Sequence, residues 1–403
     1  MKKNIATIFY SEAFAMYWCI YCVISSFASV YLLEKGYTNT EIGILLAAAN
    51  IVSVIIQPLA ANLSDRSRRI TVIDVIIIMA VLIGAFELLT LVTKGRSLLM
   101  FAAYVLMLAF HAGTQPLLNS ISMKLARCGI SADYGISRGI GSLGYSLMSI
   151  AMGSVVAAFG AKLLPLVGVL CVLLLLPGML GLRYIYRHPE SCKSGAAASE
   201  TVLESKEITM RKFVTGHRLF MAISAGIFIL FYHQQIINFF MLQIFSAVGG
   251  DSTDMGLYFS IMSFLEIPAL IGFSRLNKRF STVFLLKLGV TGLVLRGLLM
   301  YLAASPLSMQ LSLIVHPIGF PLFLGAIVKY INEIMDEGEA VRGQSMYVIV
   351  ITLSAIAASF TGGILLDSVG SRYMLLICLL LCVIGAAIVL PLIDKAANEK
   401  NHP

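Results

Sequence analysis

Residues Gly43 to Arg69 read GILLAAANIVSVIIQPLAANLSDRSRR: 22 residues without a charge, followed at once by Asp65, Arg66, Arg68 and Arg69. At about 1.5 Å per residue the uncharged run covers roughly 30 Å, the hydrocarbon thickness of a bilayer, and a helix makes all its backbone hydrogen bonds internally. The stretch therefore reads as a membrane helix ending in a basic cytoplasmic turn. Its plan recurs from Gly256 to Arg279, GLYFSIMSFLEIPALIGFSRLNKR, which again starts at Gly, passes an intramembrane proline (Pro268, as Pro58 before) and ends in a basic turn. Gly43 and Arg66, like Gly256 and Arg279, lie 23 positions apart, and the copies are offset by 213 in a chain of 403 residues. That offset implies two homologous halves.

Composition agrees. Hydrophobic residues make up 59% of the chain and charged ones only 12%, against about 25% charged in soluble domains; mean hydropathy is +0.90. The net charge of +8 is a topology signal rather than a nucleic-acid footprint, because the basic residues sit in short turns between apolar runs. The seven cysteines lie mostly within apolar runs or on the cytoplasmic side and imply no disulfide framework. Cys19 and Cys22 have metal-ligand spacing but no further ligands nearby, so no metal is expected.

Along the chain the fold class is all-α, with twelve membrane helices as six plus six. The first span is retained rather than cleaved as a signal peptide: it runs to about Leu33, carries Glu12 and lacks a clear small-residue cleavage site. Spans follow at about 41–63, 70–93, 97–126, 134–160 and 163–186, completing a bundle over 1–186. Residues 187–215 are polar, Ser- and Glu-rich, and read as a flexible cytoplasmic linker. Six more spans, at about 216–246, 253–273, 280–303, 306–333, 342–367 and 371–394, form a second bundle within 216–403 with a short cytoplasmic tail. With both termini inside, 21 of the 29 Lys and Arg residues are cytoplasmic and five lie in outer turns, the asymmetry expected of a protein of the cytoplasmic membrane.

Charges within the spans mark where chemistry is to be sought, since each needs a cavity or a partner. Arg138, Glu266 and Arg296 are the central ones; Glu12, Asp74, Glu87, Lys287 and Lys329 are weaker candidates, several of them close enough to helix ends to reach water. Glu266 falls in mid-span where the repeat places Ser53, so the shared scaffold does not demand a carboxylate; it suits substrate binding or proton exchange. The fourth and tenth spans share the pattern His, four residues, Pro, Leu, at His111–Leu117 and His316–Leu322. Prolines break backbone hydrogen bonds, so a kinked, cavity-lining helix is expected in both. In the seventh span His233 cannot face the same way as both Gln234 and Gln235, whereas Gln234 and Asn238 are one turn apart.

These residues resemble the major facilitator superfamily, and more closely its lactose permease relatives, the oligosaccharide:proton symporters, together with phenylpropionate-permease-like proteins. LSDRSRR is similar to the superfamily's motif between the second and third helices, with Ser67 in place of the usual Gly, which implies a conformational gate at Asp65 and Arg66. DYGISRGIGSLGY resembles the lactose permease fifth-helix signature; it places Arg138 at the sugar-binding arginine and Tyr145 at the stacking tryptophan. HQQIINFF matches the seventh helix, and Glu266, Arg296 and His316 match the family's buried glutamate, arginine and histidine. Asn119, Leu230, His233, Leu313 and Gly319 depart from family charges, which removes a charge pair and weighs against galactoside as the solute.

The resemblance implies alternating access, in which two halves rock about a midplane site. The function expected is secondary active transport of a small polar solute such as a sugar or glycoside, by proton-coupled symport. Asn119, Arg138, Tyr145, His233, Gln235 and Asn238 would bind the solute, and Glu266, Arg296 and His316 would couple it to the proton. Efflux of amphipathic compounds, or uptake of an aromatic carboxylate or nucleoside, is the alternative. An enzyme or receptor is disfavoured, because no nucleophile motif, nucleotide loop or metal-ligand cluster is present. The expected partners are the solute and the bilayer; no nucleic acid and no cofactor beyond the coupling cation are called for, and the chain is expected to act as a monomer.

Overall fold

In a computed structural model, residues 2–66, 70–187 and 210–401 are described. They are helical almost throughout. The first half comprises α1 (Lys2–Tyr21), a π-helical turn (Cys22–Ser26), α2 (Ala28–Glu34), α3 (Asn39–Arg66), α4 (Val72–Val92), α5 (Leu98–Arg127), α6 (Tyr134–Phe159) and α7 (Leu164–Arg187). After a short α8 (Met210–Gly216) come α9 (Arg218–Ser246), α10 (Ser252–Leu276), α11 (Thr282–Leu302), α12 (Pro306–Leu311), a 3-10 stretch (Ser312–Ile318), α13 (Phe320–Ile334) and α14 (Glu337–Asn401). Eleven helical stretches among the described residues are long and apolar enough to cross a membrane. The last of them is broken at Gly370 (φ 78°, ψ 172°), and its two legs bring the number to twelve.

The internal repeat is visible in the backbone. Gly36 (φ 89°) and Gly249 (φ 81°), 213 positions apart, both adopt the left-handed conformation that only glycine tolerates readily. Gly160 (φ 77°, ψ 174°) ends α6 with almost the same angles that divide α14 at Gly370. The helix starts repeat as well: Thr71 and Ser281 cap α4 and α11, and Ser97 and Ser305 cap α5 and α12, each side-chain oxygen accepting a backbone N–H from the first turn.

By contacts the chain falls into two compact units, Met1–Ser199 with Met255–Ser263, and Glu200–Asp254 with Phe264–Pro403. In the first, α1 packs on α6 and α7, and α4 on α5 and α7. Buried tyrosines satisfy their hydroxyls on carbonyls of neighbouring helices: Tyr10 on Leu118 at 2.9 Å, Tyr104 on Ile24 at 2.8 Å. In the second, α9 packs on α14 and α11 on α13, around a core that includes Phe231, Leu293, Phe323 and Ile327. Large apolar side chains such as Ile55, Leu59, Leu173 and Ile314 face outward, as a lipid solvent permits.

The structure corrects four local expectations. The first span is not one regular helix, since the π turn at Cys22–Ser26 interrupts it. The fourth span is not interrupted: α5 passes Pro116 as one helix without a non-helical residue, because one missing hydrogen bond leaves the rest of a 30-residue helix intact. The tenth span does break, where Pro317 and Pro321 bracket Gly319 (φ −91°, ψ −106°) and the backbone tightens to 3-10. The segment assigned as a linker over 187–215 lies outside the described residues for 188–209, and its end is helical from Met210.

The break in the tenth span is held by glycine packing on α11. A Cβ at Gly292 would stand 2.7 Å from the backbone of Gly319, whereas one at Gly272 would meet nothing within 4 Å. Gly292→Val is therefore expected to cost about 3 kcal/mol or to prevent folding, as severe overpacking does. Gly272→Val should leave the unfolding temperature of the detergent-purified chain almost unchanged, and thermal unfolding of the two variants side by side checks both expectations.

Candidate functional site

Within the second unit, the three residues assigned to proton coupling come together. Arg296 on α11 is 1% exposed, one of the largest side chains fully enclosed in the protein. Its Nη1 donates to Gln234 Oε1 at 3.0 Å and meets His316 Nδ1 at 3.2 Å. A guanidinium has donors only, so Nδ1 must accept, and the proton of a neutral His316 sits on Nε2. That nitrogen faces Glu266 Oε1 at 3.5 Å, an ion-pair separation longer than a full hydrogen bond. The order is thus Arg296, His316, Glu266, with the imidazole bridging a cation and a carboxylate. The histidine is fully buried and the Glu266 side chain is 19% exposed, so the carboxylate is the end of the chain nearer to solvent.

Local sequence explains the placement. The 3-10 stretch through His316 and Pro317 turns the imidazole onto α11, and the α11 glycines allow the two elements to approach closely. On α9 the amides form a row: Gln234 Nε2 donates to Asn238 Oδ1, and Asn238 Nδ2 to Gln235 Oε1, both at 3.3 Å. The one-turn relation of Gln234 and Asn238 is realised, and the row leads from partly exposed Gln235 and Asn238 inward to Arg296. Gln234, absent from the residues assigned roles on sequence grounds, is the one that ties the row to the cation. The signal was present in its spacing from Asn238. His233 is buried and turned the other way, its ring 3.3 Å from where a Cβ on Gly297 of α11 would stand; its Nε2 has no hydrogen-bond partner.

Within the first unit, Arg138 on α6 forms a second cluster. Its guanidinium lies 4.3 Å from the centre of the Trp18 ring, and Nη1 donates to Ser142 Oγ at 3.1 Å. No carboxylate pairs with it among the described residues. Trp18, the only tryptophan in the chain, packs edge-on against Tyr21 and Tyr145, with ring centres 5.3 and 6.3 Å apart. The Tyr145 hydroxyl shares a hydrogen bond with Ser26 Oγ at 2.9 Å. Beside them His111 stacks on Tyr17 at 4.2 Å, and its Nε2 donates to the Tyr17 carbonyl at 3.1 Å. The aromatic partner of Arg138 is therefore Trp18 on α1 rather than Tyr145 on its own helix. A lone Trp one turn before Tyr21 was the available clue. Asn119 is exposed on α5 and is joined to this cluster by no hydrogen bond among the described residues. Asp65 and Arg66 end α3, and their side chains lie outside the described residues.

Among the described residues no group of three or more His, Cys, Asp or Glu is placed to hold a metal ion. What the two clusters can do is bind polar groups within apolar helix bundles: one through a cation, hydroxyls and aromatic faces, the other through an amide row ending in a relay of ionisable groups. Twelve apolar helices in a repeated arrangement with such clusters define a multi-pass membrane transporter.

The chain belongs to the MFS_1 like family, which matches residues 8–385, and is a secondary transporter of the major facilitator type. It is 24% identical to the maltose permease of Geobacillus stearothermophilus over 99% of this chain and 97% of that one. It is 21% identical to the uncharacterized transporter YwbF of Bacillus subtilis (strain 168), over 92% and 89%. In fold it is similar to the nucleoside transporter NupG (TM-score 0.77, 15% identity, 96% and 98% of the two chains). It also resembles the peptide transporter POT (TM-score 0.69, 14% identity, 98% and 96%).

Arg296 depends on its acceptors. Gln234→Leu should lower the unfolding free energy by about 1–3 kcal/mol, the cost of leaving a buried donor unmatched. Gln235→Leu, whose amide accepts only from partly exposed Asn238, should cost less. Chemical denaturation of the two variants reads the difference.

Proposed function

We propose that this transporter takes up a sugar or glycoside-like solute by proton symport, across the cytoplasmic membrane with both termini inside. The observation that carries the reading is the relay Arg296–His316–Glu266. With Glu266 ionised, Arg296 and Glu266 balance and the neutral imidazole joins them. Protonating Glu266 removes the negative charge at the far end of the relay from the enclosed guanidinium. Protonating His316 instead gives Nδ1 a hydrogen that faces Arg296, and the contact is lost. Either event makes the present arrangement unfavourable and favours a second one, so a proton can drive a two-state change.

Solute-binding roles are assigned within each unit by itself: to the amides beside the relay in the second, and to the hydroxyl and aromatic groups beside Arg138 in the first. Trp18, Tyr21 and Tyr145 suit the face of a ring, and Arg138, with no carboxylate partner among the described residues, suits hydroxyls or an anionic group. The maltose permease relative supports a sugar. The asymmetry of the basic residues supports the orientation. Asp65 and Arg66 retain the gating role that the superfamily motif implies.

Two measurements test this. In reconstituted vesicles Glu266→Gln should abolish uphill uptake while leaving downhill flux or exchange; unchanged uphill uptake would remove Glu266 from the coupling. In thermal unfolding of the purified protein against sugars, glycosides, nucleosides and aromatic carboxylates, a bound solute at 100 times its Kd should stabilise by about 2.7 kcal/mol. Arg138→Ala should abolish that gain. Stabilisation by lipophilic cations that survives Arg138→Ala would point to efflux instead.

A further inference from the structure

We propose that Glu87 is a proton-binding site of the first unit, separate from the Glu266–His316 pair. Glu87 is one of the weaker candidates among the charges within the spans; its side chain is 1% exposed, and neither carboxyl oxygen has a hydrogen-bond partner among the described residues. It borders a cavity of about 10 Å³ whose apolar lining includes Val23, Ile24, Met107 and Leu164, room for no more than about one water.

The surroundings are built to leave this carboxyl alone. Both phenols lining the cavity turn away from it: Tyr31 donates to the Thr90 carbonyl at 2.9 Å and Tyr104 to the Ile24 carbonyl at 2.8 Å. The Thr90 hydroxyl is engaged by the Glu87 main-chain carbonyl at 2.8 Å. On α7 the carboxyl rests against Gly168, where any Cβ would collide with it. Ile24, which accepts from Tyr104, belongs to the π-helical turn, a local departure often found at functional sites.

The titratable groups facing Glu87 are Tyr31 of α2, Tyr104 of α5 and Cys171 of α7. The π turn presents only Val23 and Ile24 to the cavity. No Lys, Arg, His, Asp or second Glu faces it among the described residues. In such surroundings an ionised carboxylate is far costlier than the neutral acid. The group therefore holds a proton in this arrangement and gives it to water once the cavity opens. The step forms and breaks one carboxyl O–H bond, with water as donor and acceptor. A rearrangement that hydrates the cavity discharges the site, which gives the first unit a proton-linked step of its own. That consequence rests on the transport reading; the protonation itself does not depend on Glu266.

The test is pH-difference infrared spectroscopy of the full chain in lipid vesicles, on the wild type, Glu87→Gln, Glu87→Asp and Glu266→Gln. A neutral-acid carbonyl band that shifts in heavy water and bleaches reversibly as pH rises between about pH 5 and pH 10 is expected. It should vanish in Glu87→Gln, move in frequency in Glu87→Asp and persist in Glu266→Gln. If Glu87→Gln fails to fold, the frequency shift in Glu87→Asp decides. A band that titrates identically in the Glu87 variants would overturn the proposal. So would a Glu87 band that persists unchanged across the whole range, since that marks a structural acid that exchanges no proton. Loss of the band in Glu266→Gln alone would assign it to the coupling pair and overturn the proposal while leaving the coupling reading standing.

Discussion

A guanidinium inside a membrane bundle must be surrounded by acceptors, and the second unit is arranged around that requirement at Arg296. Leaving such a charge unmatched would cost several kcal/mol, so α9 contributes the Gln234 amide and the tenth span contributes His316. The tenth span can do so only by giving up regular helix. Its 3-10 stretch and the bend at Gly319 place the imidazole where a continuous helix would have carried it past, and Gly292 on α11 leaves room for the bend. Backbone irregularity is tolerated at membrane depth where protein, not lipid, surrounds it.

The same pressure has a different outcome in the first unit. Arg138 is matched by an aromatic face and a hydroxyl rather than a carboxylate. Of the two carboxylates this unit buries, Asp74 is paired with Arg183 and Arg187, whereas Glu87 has no cation beside it among the described residues. The two halves share caps, left-handed glycines, helix order and the paired histidines His111 and His316, yet Arg138, Glu266 and Arg296 have no charged counterpart in the repeat. Duplication preserved what the backbone needs, namely helix ends and close glycine packing. It did not preserve charges, which are costly in the membrane and persist only where they have a task. The difference at the His–Pro repeats is of the same kind: one proline in α5 leaves a continuous helix, whereas two prolines around Gly319 break one.

Much of the fold was legible from residues 43–69 and their counterpart at 256–279. Apolar length, basic turns and the offset of 213 determine twelve helices in two related halves, because a bilayer accepts few solutions for a chain's hydrogen bonds. The gathering of Glu266, Arg296 and His316 was also foreseeable, since charges in separate spans have little stable recourse except one another. Less legible were the ring that faces Arg138, the inward-turned His233, the exposure of Asn119 and the burial of Glu87. Each depends on the rotation of a helix about its axis and on which glycine of a neighbour leaves space.

The sequence by itself determined the solvent, the number of helices, their duplication and which spans carry charge, because these follow from hydrophobic length and from the cost of ionised groups in lipid. Tertiary structure alone decided which donor meets which acceptor: that Gln234 rather than Gln235 supports Arg296, that His316 presents Nδ1 to the arginine and Nε2 to the glutamate, and that Glu87 meets Gly168 and, among the described residues, no cation. The physical reason is that hydrogen bonds are made or lost over a few tenths of an ångström, while hydrophobic periodicity specifies a helix face only to within a wide sector.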